Sequence, residues 1–162
     1  MRIPFVIDNQ QYTMSDVLNG LLMEQRGRSL DVATAYFNVG GWQLLQRGLE
    51  RLGTFRLLLG DEPEVGADIG VREQKAKAVK GLIRELEQAS FDGKTQRIVE
   101  DLTAFLQQEN VHVRLYGKGF LHAKCYIFYG NSGFERVNPL AAIVGSSNFT
   151  RPGLLRSLPR IK

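Results

Sequence analysis

His122 and Lys124 stand two residues apart in the run Leu121-His122-Ala123-Lys124-Cys125-Tyr126-Ile127-Phe128, and a Gly145-Ser146-Ser147-Asn148 box closes the next apolar run. If both runs are strands, the two-residue period puts His122 and Lys124 on one face about 6.5–7 Å apart, and Ser146 and Asn148 likewise share a face. An imidazole, an ammonium, a hydroxyl and a carboxamide converging on one anion are what metal-free phosphoryl transfer requires, because that chemistry is mostly positioning and charge stabilisation. Taken singly, each feature has an ordinary explanation: a structural histidine, an edge lysine, a polar turn. Their occurrence in order, joined by a strand, is the rarer event. Tyr126 and Phe128 continue the face of His122 and Lys124, so that face is buried further along, and a buried lysine needs an anion.

This pattern resembles the phospholipase D superfamily, whose signature is His-x-Lys, four residues, Asp, then a downstream Gly-Ser-x-Asn. His122, Lys124, Gly145, Ser146 and Asn148 fall on the signature, while Tyr129 occupies the Asp position and Glu135 is the nearest carboxylate downstream. The stretches 29–38, 55–60 and 147–154 resemble a subset of the superfamily found ahead of Swi/Snf-type helicase domains or beside restriction-like enzymes. The resemblance covers roughly residues 29–154.

The resemblance implies a single-motif phospholipase D-like domain that completes its site through a twofold homodimer, a natural way to duplicate one motif. One His122 would attack phosphorus to give a phosphohistidine, and the other would protonate the leaving oxygen and then activate water. Lys124 and Asn148 would neutralise phosphoryl oxygens and Ser146 would support them, with no metal or cofactor. In the family the motif Asp orients the nucleophilic histidine, so Tyr129 implies slow turnover or none. Lys118, Arg114 and Arg151 flank the box and read as backbone-phosphate contacts or equally as solvated charges. The expected function is a nuclease-type phosphodiesterase acting on nucleic acid. The alternatives are a non-catalytic nucleic-acid-binding or targeting domain that keeps the pocket, and a purely structural dimerisation module. Family members continue beyond the motif, so the resemblance points to an N-terminal fragment of a longer helicase-like protein.

Composition narrows the field. With 162 residues and 43% hydrophobic content the chain fits one domain with a sizeable core. No apolar stretch approaches the roughly 18 residues of a membrane span, and no signal pattern opens the chain, so a cytoplasmic location follows by default. Two histidines and one cysteine fall short of a zinc set, and Cys125 reads as a buried small hydrophobe. Residues 111–162 carry eight basic and one acidic side chain, net +7, whereas residues 1–110 carry 13 and 16, net −3. The candidate site thus lies in the basic third, a distribution that attracts phosphates.

The elements that must position the site read as an α/β fold, a mixed sheet sandwiched by helices. Residues 2–7 read as an edge strand. Thr13 or Ser15 caps a helix to about Glu24. A strand over 29–37, broken by Gly40-Gly41, leads to a helix over 42–52 with Gly53 as its C-cap, then a strand over 55–59, one βαβ unit. An acidic loop at 61–70 reads as solvated rather than as a magnesium site. Helical spacing marks 71–89 and 95–108, and strands are expected over 111–116, 121–129 and 141–144, the last two joined by a hairpin loop. Gly93-Lys94-Thr95 lacks the earlier glycine of a nucleotide-binding loop. His112 matches no motif position and reads as structural.

Overall fold

The computed structural model describes residues 3–9, 11–60, 93–117, 119, 121–130 and 138–155. The expected acidic loop at 61–70, the helix at 71–89, Lys118, Glu135 and most of the 130–139 connection lie outside the described residues.

The chain opens with helix α1, Met14–Glu24, started by the Thr13 side chain accepting from the Asp16 amide. Its Val17, Leu18, Leu21 and Leu22, spaced three and four apart, are all buried. Strand β1 spans Ser29–Thr34, helix α2 Val39–Leu49 and strand β2 Thr54–Leu59. Helix α3, Gly93–Leu106, leads to β3, Val111–Leu115; β4 is Lys124–Tyr129, β5 is Pro139–Val144, and the short α4 is Arg151–Leu154. Among these residues no helix is long and apolar enough to cross a membrane.

The five strands form one mixed sheet in the order β3-β2-β1-β4-β5. β1 pairs in parallel with β2, and β2 with β3, so the expected βαβ unit is present. β4 runs antiparallel between β1 and β5, with a register shift at Phe128/Tyr129. Leu30 and Val32 of β1, Phe55 and Leu57 of β2, and Tyr126 and Phe128 of β4 face one way and join α1, α2 and α3 in a single core around Trp42 and Phe105. The described helices therefore cover one face, where the sequence suggests helices on both. The opposite face carries Asp31, Arg56, His112, Arg114, Cys125 and Ile127 around a cleft of about 390 Å³.

Three local expectations are corrected. Residues 3–7 form no strand. Gly40 and Gly41 are not what ends the first strand, which stops at Thr34: Asn38 caps α2, its side chain accepting from the Gly41 amide, and both glycines lie in the first turn. A Cβ on Gly41 would sit 2.6 Å from the Phe149 carbonyl, so the helix can pass the box only with glycine there. The helix then ends before Gly53, whose amide instead donates to the Arg28 carbonyl at 2.8 Å as β2 begins.

Candidate phosphate site at the end of the sheet

Strand direction decides what meets. The carboxyl ends of β1, β2, β3 and β5 and the amino end of β4 lie at the same end of the sheet. Open α/β sheets bind ligands outside the carboxyl ends of their strands, where the order of strands departs in both directions from a central one. Here β1 is that strand, and the two motifs arrive beside its last residue, Thr34.

Thr34 is fully buried and opposes Lys124 across the β1–β4 ladder. Its hydroxyl donates to the Tyr36 carbonyl at 2.9 Å, accepts from the buried Phe149 amide at 3.1 Å and lies 3.4 Å from Asn148 Oδ1. Through the Phe149 amide this hydroxyl fixes the end of the box to the strand that neighbours Lys124. Residues 145–151 are anchored by backbone as well: Gly145 N donates to the Lys124 carbonyl at 3.1 Å, Asn38 N to the Phe149 carbonyl at 3.2 Å, and Tyr126 Oη to the Ser147 carbonyl at 3.0 Å. Asn38 Oδ1 also accepts from the Arg151 amide at 3.1 Å. Thr34 and Asn38 lie in the 29–38 stretch, outside the His-x-Lys and Gly-Ser-x-Asn motifs. Asn38 was findable as a helix cap, whereas nothing local marks Thr34. Replacing Thr34 with Val is expected to strand the Phe149 amide and cost about 1–3 kcal/mol. Chemical denaturation would read the loss, and Thr34→Ser should recover most of it.

Lys124 is 5% exposed, and its Nζ donates to the His122 carbonyl at 3.2 Å. Isolating an ammonium from water costs several kcal/mol, which makes this buried lysine a candidate anion contact. Lys124 and Ser146 line one cleft of about 470 Å³, whose other walls are Tyr126, β5 and residues 3–7. Ser146 is exposed and Asn148 half-buried. His122 is exposed and lies just before β4 rather than inside it, since the strand starts at Lys124 and not at Leu121. Gly60 permits this approach, because a Cβ there would fall 2.2 Å from the Leu121 carbonyl.

Arg151 opens α4 beside the box, exposed and packed over Gly40. Arg114 stands elsewhere: it pairs in register with Leu58 on the face that carries Asp31 and Arg56, across the sheet from Lys124. The expectation that it flanks the box is corrected by that register. His112 shares the same face. Among the described residues no three His, Cys, Asp or Glu side chains group closely enough to hold a metal ion.

Tyr129 changes the meaning of the missing motif carboxylate. It lies five strand residues from Lys124, about 17 Å along β4, and its position alternates to the opposite face. A side chain at 129 therefore cannot reach the His122 imidazole, and the expected slow turnover does not follow from this position. Instead Tyr129 is buried and hydrogen-bonds Asp31, which also binds Arg56 through Nε at 2.7 Å and through Nη2. Burial raises the Asp31 carboxyl above its ordinary range despite Arg56, and burial with the Asp31 charge raises the Tyr129 phenol. Tyr129→Asp, which restores the motif letter, would set a second carboxylate beside Asp31 and open a cavity; it is expected to cost roughly 2–4 kcal/mol and to add no hydrolysis. Denaturation and a hydrolysis assay on the same variant check both parts. Because the folded phenol keeps its proton longer than the unfolded one, stability should fall as pH rises above 10. Tyr129→Phe should reduce that alkaline limb, the remainder coming from the Tyr126 phenol, which burial also raises.

No protein-family model matches the chain, and no curated protein matches it.

Proposed function

We propose that the chain is a phospholipase D-like phosphodiesterase domain of nuclease type, acting on nucleic acid in the cytoplasm. The observation that carries this reading is the buried Lys124, opposite Thr34 in the β1–β4 ladder and sharing a cleft with Ser146, while Thr34 anchors the box through the Phe149 amide. A cation, a carboxamide and a hydroxyl at the end of the sheet where β1, β2 and β3 finish match the charge and hydrogen-bonding pattern of a phosphoryl group. The net +7 of residues 111–162 favours a polyanion over an isolated ester.

Double displacement needs a nucleophile on one side of phosphorus and a proton donor in line on the other. This sequence carries one motif, so the second imidazole is assigned to a twofold partner copy. His122 of one copy attacks phosphorus and the P–O bond to the leaving group breaks; His122 of the other donates the proton to the leaving oxygen. That second imidazole then takes a proton from water as it attacks the phosphohistidine, which restores both histidines.

The test is to quench a reaction with a labelled phosphodiester oligonucleotide in base, which preserves phosphohistidine, and to search the His122 peptide by mass spectrometry. A nucleotidyl or phosphoryl adduct on His122 is expected. Strand binding with neither adduct nor turnover would contradict the enzyme and favour the second reading, a nucleic-acid-binding or targeting domain of a helicase or restriction-type protein. The exposure of His122, away from the cleft wall that holds Lys124, is the feature that favours that second reading.

A further inference from the structure

The wall of the Lys124 cleft has a feature that phosphate chemistry leaves unexplained. Residues 3–7 run along it as Ile3-Pro4-Phe5-Val6-Ile7, and the Phe5 side chain is as accessible as in an extended peptide, at 105%. Ile7 packs against the core and Met14 closes the cleft behind it, so this segment is seated on the fold while Phe5 projects. A projecting benzyl group and a buried lysine among the lining residues of one cleft make an amphipathic site.

We infer that Phe5 is a stacking platform for an unpaired nucleobase whose phosphate lies at Lys124 and Ser146, so that the site takes single-stranded nucleic acid. The inference rests on the phosphate-site reading and adds strandedness to it. A nucleotide has the matching polarity: a flat π-face and an anionic phosphate one sugar apart. Base–aromatic stacking is sequence-tolerant and reaches only bases that are out of a duplex. Ile3, Val6 and Val144 of the same cleft are exposed as well, so Phe5 stands in an apolar rim, and it is the lysine lining this cleft that favours an anionic strand over a neutral lipid surface.

The experiment is fluorescence anisotropy in EDTA with a labelled oligothymidylate, an abasic strand of equal phosphate number, and the oligothymidylate paired in a duplex. The wild type is expected to prefer the oligothymidylate over both others by at least about fivefold, from the worth of one stacked base. Phe5→Ala should erase that preference and leave abasic-strand binding unchanged, and Phe5→Trp should keep it. Equal wild-type binding of thymidylate and abasic strands, with Lys124→Met weakening both, overturns stacking and leaves the phosphate site standing. Binding of no strand at all overturns both readings. Conversion of a wild-type dimer to a monomer by Phe5→Ala, or Phe5-dependent binding to phosphatidylcholine–phosphatidylglycerol vesicles with no strand preference, overturns the assignment in favour of a protein contact or a lipid surface.

Discussion

Replacing His122 with Asn is expected to lower metal-independent phosphodiester hydrolysis by at least about 10³-fold, the scale on which a lost nucleophile acts. The fold should survive. His122 is exposed, lies outside β4 and belongs to no part of the core, so its contribution to stability is confined to surface contacts, within about 0.5 kcal/mol. If the dimer-shared scheme holds, a mixed dimer of wild-type and His122→Asn chains loses activity rather than keeping half, because each reaction uses both imidazoles. Steady-state kinetics in EDTA and a thermal melt on the same preparation separate these effects. Full activity in the variant would remove the phosphohistidine scheme outright.

Lys124→Met should cost function far more than stability. Lys124 is 95% buried between Thr34 on β1 and the box that follows β5, and methionine has nearly the same length without the charge. Removing the buried ammonium relieves its desolvation cost but leaves the His122 carbonyl without its donor, and the two effects oppose each other at a few kcal/mol each, about 1–3 kcal/mol for the stranded acceptor. Removing a preorganised cation from developing phosphoryl charge costs about 10²–10³ in turnover. A variant that melts at the same or a higher temperature and has lost hydrolysis and phosphate-dependent binding would mark Lys124 as kept for function at the expense of stability. A large drop in melting temperature would instead make the lysine a structural donor, with the His122 carbonyl as its purpose.

Much of the scaffold was legible because it is local. Thr13 with the three-four spacing from Val17 to Leu22 announces α1, and the apolar runs at 55–59 and 111–116 announce β2 and β3 within a residue of their ends. Strand alternation also separated Lys124, Tyr126 and Phe128 from Cys125 and Ile127. What failed depended on distant partners. Gly40-Gly41 reads as a break until the Phe149 carbonyl, more than a hundred residues away, is seen to require glycine against it. Thr34 looks like any strand residue, since its partners Asn148 and Phe149 lie 114 and 115 positions on. Arg114 was placed near the box by sequence proximity, but its face is set by register relayed through β2 and β1 to β4, which no single-strand pattern encodes. Position 129 misled in the same way: closeness in the motif suggested contact with His122, and six residues of extended strand carry it to the other end of the sheet.

The most direct test of the phosphate site uses the chain's two histidines: His112 lines the cleft with Asp31 and Arg56, and His122 lies just before β4. Their imidazole Cε1–H resonances, assigned with His122→Asn, can be followed by proton NMR as inorganic phosphate is titrated at constant pH and ionic strength. The His122 resonance is predicted to shift saturably and that of His112 to stay fixed, with Lys124→Met abolishing the shift. A saturable shift of His112 instead, or none in either histidine, would contradict a phosphate site at the junction of Lys124, Ser146 and Asn148.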